Sequence, residues 1–144
     1  MASLCDVNLL LALCDEEHAH HIPANEWFET ISRPSEIALC RVSQLGLLRL
    51  LTNPAVMREG VCTTEEAWRH YDTVMADDRF VFVGEPARVE DRLREFTQGF
   101  PFAPKLWQDA YLAAFAIEAG LRLVTFDGDF RKFKGLDSLV LAPQ

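Results

Sequence analysis

The chain has 144 residues, the size of one ordinary domain, so we expect a single domain over 1–144. With 49% hydrophobic and 25% charged residues the composition excludes a disordered chain, and no apolar run reaches the length that a membrane span needs. The N-terminal region lacks the basic segment of a signal peptide, so we expect a cytoplasmic protein. The formal net charge of −8 is unfavourable for a nucleic-acid enzyme, although carboxylates that hold a cation contribute to it.

Apolar periodicity and turn signals predict strands that alternate with helices. In chain order, the predicted elements are a strand at 2–5, helices at 7–14 and 24–31, a strand at 36–40, helices at 43–51 and from Thr63 or Thr64 to Met75, a strand at 80–83, helices at 89–96 and 106–119, and strands at 121–126 and 139–141. Glu66 completes a capping box from Thr63, and Gly120 ends the last helix. This alternation predicts an α/β fold whose sheet is parallel and carries helices on both faces.

Three aspartates are predicted to meet at one edge of that sheet. Asp6 and Asp127 each follow a predicted strand directly, so both lie where parallel strands end. Asp109 lies in the first turn of the helix 106–119, and the eleven residues that follow it rise about 16 Å before the next strand returns about 20 Å. Asp109 is therefore expected at a similar height to Asp127, on the same side of the sheet.

Converging carboxylates raise one another's pKa values unless a cation stabilises them. A hard divalent ion, Mg²⁺ or Mn²⁺, prefers such oxygen ligands, and it supports phosphodiester hydrolysis by activating a bound water. The alternative for each aspartate is a simple structural role, because Asp6 and Asp127 both precede helix-like segments and acidic residues in a first helical turn are favourable in any protein.

Four segments of the chain resemble the PIN-domain family, and within it the VapC toxins of bacterial toxin–antitoxin pairs. They are 3–8 (SLCDVN), 41–54 (RVSQLGLLRLLTNP), 107–114 (WQDAYLAA) and 123–130 (LVTFDGDF). The resemblance implies a three-layer α/β/α domain with a central, mostly parallel sheet of four to five strands. It also implies an endoribonuclease that uses Mg²⁺ or Mn²⁺, an RNA substrate, a small VapB-like antitoxin as partner, and a homodimer.

The resemblance assigns roles to individual residues. Asp6, Asp109 and Asp127 match the metal-binding acids of the family, with Asp129 as a candidate fourth ligand. Three further residues match polar positions that orient ligands and water, namely Asn8, Gln44 and Thr125. Gln44 stands where most members carry a glutamate, so we expect a less negative site that holds one metal firmly.

Smaller features and two alternative functions stay open at this point. Arg131 and Lys132 belong to a basic run that could contact an RNA backbone, and Trp107 could stack a base. A phosphatase of the haloacid-dehalogenase type would use Asp6 as nucleophile, but Asn8 cannot replace the general acid such enzymes need two residues later. A PIN-fold binding module of weakened catalytic power is the other alternative, and Gln44 is the feature in its favour.

Overall fold

The computed structural model describes residues 2–100 and 102–142, and five strands in this part of the chain form one sheet. The strands are β1 (Ser3–Cys5), β2 (Ile37–Leu39), β3 (Phe80–Phe82), β4 (Arg122–Thr125) and β5 (Ser138–Val140). Their order is β3-β2-β1-β4-β5, and every neighbouring pair is parallel. The predicted α/β class and parallel sheet are therefore confirmed.

Within the residues that the structure describes, seven α-helices connect the strands. They are α1 (Val7–Cys14), α2 (His21–Glu29), α3 (Arg41–Leu51), α4 (Pro54–Met57), α5 (Thr64–Ala76), α6 (Val89–Thr97) and α7 (Leu106–Ala119). Two short 3₁₀-helices cover Arg58–Gly60 and Gly128–Lys132. The capping box of Thr63 and Glu66 is present, and Gly120 ends α7 with a φ of 68°, which a residue without Cβ adopts freely.

The boundaries differ from the predictions where local signals are weak. Helix α2 begins at His21, three residues before the predicted start, because Pro23 fits the first turn of a helix and does not delay it. Helix α3 begins at Arg41, directly after β2 and its cap Cys40. Helix α4 and the 3₁₀-helix Arg58–Gly60 were not predicted, since so few residues carry no periodic pattern. The helix-like segment expected after Asp127 is the 3₁₀-helix Gly128–Lys132.

Alternate residues of the strands point to two separate apolar layers. Leu4 and Leu123 pack on the face covered by α6 and α7, whereas Cys5 and Val124 pack on the opposite face. That opposite face is covered by helices α1, α2, α3 and α5. The three predicted layers are thus present. In the described part of the chain no helix is both long and apolar enough to cross a membrane.

The strand order places a switch point between β1 and β4. From β1 the chain moves to β2 and then β3 on one side, and it returns to place β4 on the other side of β1. In parallel α/β sheets the crevice at such a switch point, beyond the strand ends, is the usual place for a functional site. The residues that directly follow β1 and β4 occupy this position.

Candidate active site

Asp6 links the end of β1 to the start of α1 and is almost completely buried, with 4% of its surface exposed. Its Oδ1 accepts a hydrogen bond from the backbone N–H of Val7 at 2.8 Å, and its Oδ2 accepts one from the hydroxyl of Thr125 at 2.8 Å. Burial raises the pKa of Asp6, the two hydrogen bonds lower it in part, and the charge of Asp127 raises it further. The carboxylate is thus held in one orientation and lies within electrostatic range of a second acid.

Thr125 connects the two strand ends across the switch point. Its side chain is fully buried, and while its hydroxyl donates to Asp6 its Oγ1 accepts the backbone N–H of Asp127 at 2.9 Å. Asp127 is exposed and caps the following 3₁₀-helix, because its Oδ1 accepts the N–H of Asp129 at 2.8 Å. Each of these polar groups therefore has a defined partner, and Thr125 fixes the spacing between the β1 and β4 carboxylates.

Asp109 reaches the same edge from α7, as the residue count predicted. Its side chain is half-buried, and its pKa is raised to about 6 by burial, by the charges of Asp6 and Asp127 and, to a smaller extent, by that of Asp129. The charge of Lys132 lowers it in part. Helix capping accounts for the hydrogen bond of one carboxylate oxygen of Asp6 and of one of Asp127. It does not account for the position of Asp109 among these acids.

Comparisons with known proteins agree with this arrangement. A family model described as PIN domain matches residues 3–136. Ribonuclease VapC41 of Mycobacterium tuberculosis is 43% identical over 143 residues, which cover 96% of this chain and 98% of that protein. Ribonuclease VapC38 of the same organism is 31% identical over 125 residues, covering 87% of this chain and 84% of that protein.

The chain belongs to the PIN-domain family. Solved structures show the same fold at low sequence identity. The Mycobacterium tuberculosis toxin VapC20, described as cleaving the sarcin-ricin loop, has a TM-score of 0.69 at 16% identity and covers 98% of this chain and 100% of its own. VapBC2 of Rickettsia felis, solved with a promoter DNA fragment, has a TM-score of 0.68 at 14% identity over 99% of this chain and 100% of that one.

Gln44 is the residue at which the chain departs from the PIN-family pattern described above. It lies in the second turn of α3 and is buried, with 6% of its surface exposed. Its Oε1 accepts a hydrogen bond from Nη1 of Arg41, whose guanidinium also lies 4.8 Å from the ring centroid of Phe82. The amide oxygen that could have served as a neutral metal ligand is therefore engaged by an arginine.

The remaining candidate residues lie farther from the carboxylates or make no contact with them. Asn8 is exposed and forms no side-chain hydrogen bond within the described residues. Trp107 is 60% exposed and lines a groove with Leu93 and Thr97 of α6. Because two residues of helix turn the side-chain direction by about 200°, Trp107 lies on the opposite side of α7 from Asp109.

One contact at this edge was missed by sequence reasoning. Nη2 of Arg49, near the end of α3, donates to Oε1 of Gln108 at 3.3 Å, and Gln108 precedes Asp109. The two residues are 59 positions apart, so no local signal pairs them. Gly46 allows α3 to pack closely against the start of α1. A Cβ on Gly46 would lie 2.8 Å from Cγ2 of Val7, the residue that follows Asp6.

The donor set suits a hard divalent cation in its chemistry. Within residues 2–100 and 102–142, no three His, Cys, Asp or Glu side chains form a ready-made metal-binding cluster. The charges of Asp6, Asp127 and Asp129 nevertheless all raise the pKa of Asp109, as expected for acids gathered at one edge of the sheet. Carboxylate oxygens without soft sulfur or imidazole donors match Mg²⁺ and Mn²⁺.

Proposed function

We propose that the chain is a metal-dependent endoribonuclease, the toxin of a VapBC-type toxin–antitoxin pair, which hydrolyses RNA phosphodiester bonds. The observation that carries this proposal is the hydroxyl of Thr125, which joins the buried carboxylate of Asp6 to the backbone of Asp127 across the switch point. The pKa of Asp109, raised by burial and by the charges of Asp6 and Asp127, supports a group of acids at this place. Membership of the PIN-domain family and 43% identity to a VapC ribonuclease over nearly the whole chain support it.

The proposed metal ligands are the carboxylates of Asp6, Asp109, Asp127 and Asp129. A bound Mg²⁺ or Mn²⁺ ion would lower the pKa of a coordinated water and polarise the scissile phosphate. Thr125 contributes by holding the carboxylate of Asp6 in a fixed orientation through its hydroxyl, as outer partners of metal ligands commonly do. The apolar surroundings of Asp6 limit its hydration, which strengthens its interaction with a cation.

The proposed protein partner is a small antitoxin. Solved VapBC toxin–antitoxin complexes are among the structures that share this fold, including one from Salmonella typhimurium bound to DNA. A partner with a basic segment would also offset the formal net charge of −8. The homodimer and the cytoplasmic location stay predictions from the sequence.

The two alternatives are not equally supported. Membership of the PIN-domain family favours the nuclease over a haloacid-dehalogenase-type phosphatase. A binding module of weakened activity is favoured by one observation, the neutral Gln44 whose oxygen is held by Arg41. The two functions differ in metal affinity, because a site that has lost catalysis through the loss of a ligand binds Mn²⁺ weakly.

The test combines RNA cleavage in Mn²⁺ with calorimetric titration of Mn²⁺. We expect Asp109→Asn to lower the cleavage rate by more than the roughly 10- to 100-fold that the loss of an outer partner of a ligand costs. Thr125→Val is expected to fall within that range. Asp72→Asn is the matched control, because Asp72 is exposed on α5 and makes no ion pair with the described residues.

The outcomes separate the functions. Cleavage by Asp109→Asn at the rate of Asp72→Asn would remove Asp109 from the site and refute the assignment. A wild-type protein that neither cleaves RNA nor takes up Mn²⁺ would support the binding module instead. Loss of growth arrest in cells that express Asp109→Asn, with arrest retained by Asp72→Asn, would connect the activity to toxicity.

A further inference from the structure

Two cations lie shortly after the carboxylates that follow β4. Arg131 and Lys132 are exposed residues of the 3₁₀-helix Gly128–Lys132, which begins after Asp127. The segment is anchored on the α6–α7 face by Phe130 and Phe133, which are 1% and 4% exposed. Two buried aromatic residues thus flank the two exposed cations in the sequence, so the fold fixes the backbone position of these cations.

The side chain of Arg131 folds back over the turn that carries the acids. Its Nη1 lies 2.8 Å from the position that a Cβ on Gly128 would occupy, and Gly128 separates Asp127 from Asp129. The absence of a side chain at Gly128 therefore leaves room for the guanidinium beside this turn. Arg131 presents its donors close to the carboxylates without forming an ion pair with either of them within 4 Å.

Lys132 follows Arg131 as the last residue of the same 3₁₀-helix. Its Nζ lies 5.3 Å from the ring centroid of Phe133, and its charge acts on Asp109 of α7, whose pKa it lowers against the raising effects of burial and of the other acids. Like Arg131, Lys132 forms no ion pair with an acid of the described ranges. Arg79, Arg92 and Arg122, by contrast, are all paired with carboxylates.

We propose that Arg131 and Lys132 bind the RNA phosphates next to the scissile bond. The inference rests on the proposed ribonuclease function and names the residues that hold its substrate. A chain with a net charge of −8 repels RNA, and the carboxylate edge repels it most strongly. Binding therefore needs local cations that no acid already neutralises. A guanidinium suits a phosphate because it offers parallel N–H donors, and an ammonium suits it as a compact charge.

The test measures the salt dependence of RNA binding. Each variant is placed in an Asp109→Asn background, which prevents cleavage, and is titrated against a fluorescein-labelled single-stranded RNA oligonucleotide at several KCl concentrations. The double variant Arg131→Gln/Lys132→Gln is expected to bind roughly 10-fold more weakly, and the slope of log affinity against log salt should lose about 1.4, or about 0.7 for each phosphate contact removed.

The matched control is Arg33→Gln/Arg69→Gln, which removes the same charge from two exposed arginines on the loop before β2 and on α5. It is expected to keep the parent slope. Lys132→Arg keeps the cation and is expected to keep the slope as well. Mn²⁺ affinity, measured by calorimetry in the wild-type background, should not fall in Arg131→Gln/Lys132→Gln, because this variant removes positive charge from the site, whereas the KM for RNA should rise.

Two results would overturn the inference. If the wild type cleaves RNA while the double variant and its control share one salt slope, the proposed function stands and the two cations are not phosphate ligands. If the Asp109→Asn parent binds no RNA and the wild type cleaves none, the proposed function fails and this inference fails with it.

Discussion

Asp77 and Asp109 are carboxylates at opposite edges of one sheet, and their pKa values shift in opposite directions. Asp77 precedes β3 and forms two hydrogen bonds with the guanidinium of Arg79, at 2.7 and 3.0 Å, which lower its pKa. Asp109 lies beyond the other ends of the strands, where burial and neighbouring acids raise its pKa to about 6. One carboxylate is neutralised within the fold, whereas the other is left among like charges.

The difference lies in whether the fold supplies a partner for the acid. Arg79 also stacks on Phe28, with its guanidinium carbon 3.7 Å from the ring centroid, so this cation is held by an acid and by an aromatic ring. At the Asp109 edge, folding brings acids together at a cost in stability that no arginine within 4 Å offsets among the described residues. A cation bound among these acids, as proposed above, would offset that cost.

The largest expected effect comes from removing Arg79, the residue that neutralises Asp77. Arg79→Ala removes the ion pair with Asp77, a hydrogen bond to the carbonyl of Ile31 at 3.2 Å, and the stacking on Phe28. We expect the free energy of unfolding to fall by about 2–3 kcal/mol in urea denaturation. Arg94→Ala, which breaks an exposed pair with Glu90, should cost only about 0.3–0.5 kcal/mol. Equal losses in both variants would contradict the special role of Arg79.

The sequence was sufficient to predict the carboxylate edge because each acid carries a local signal. Asp6 and Asp127 each follow an apolar strand, and the lengths of α7 and β4 place Asp109 beside them. The hydroxyl of Thr125 was predicted from the family resemblance, and the structure shows its contact with Asp6.

Strand order and side-chain contacts between distant elements could not be predicted in this way. Nothing local places β4 beside β1, although this neighbour relation creates the switch point. The contact of Arg49 with Gln108 and the folding of Arg131 over Gly128 depend on side-chain conformation, which periodicity does not determine. Gln44 shows the limit most clearly: the residue type was visible, but its hydrogen bond with Arg41 was not.

A smaller effect is expected from separating α3 from α1 at the acidic edge. A Cβ on Gly46 would lie 2.8 and 3.0 Å from the two γ-carbons of Val7, so Gly46→Ala overpacks this contact. Overpacking costs about 1–3 kcal/mol, and the higher helix propensity of alanine returns about 1, so we expect a net loss of up to about 2 kcal/mol. In a Val7→Ala background, which lacks both γ-carbons, Gly46→Ala should cost much less. A loss that the second substitution does not change would place the strain elsewhere.

The smallest effect tests the acidic edge itself and depends on pH. Because the folded protein holds the pKa of Asp109 near 6, above its ordinary 3.8, the folded state binds the proton more readily than the unfolded one. Stability contributed by protonated Asp109 is therefore lost as pH rises from about 4 through 6. The measurement is made in EDTA at pH 7.5, roughly 1.5 units above that pKa, where Asp109 is ionised. There we expect Asp109→Asn to be more stable than the wild type by about 1 kcal/mol, a figure that allows for solvent screening of this half-exposed group.

The wild type and Asp109→Asn are also compared at low pH, as a control, and in Mn²⁺, which should reverse their order of stability. At the acid end of that range the two should unfold at nearly the same urea concentration, and Asp72→Asn, at an exposed position of α5, is the control. Saturating Mn²⁺ should stabilise the wild type and not Asp109→Asn, because a cation that binds only the folded state adds its binding free energy to folding. If the difference in free energy of unfolding between the two proteins changed with neither pH nor Mn²⁺, the carboxylates of this edge would not act on one another. The contrast with Asp77 would then carry no information about function.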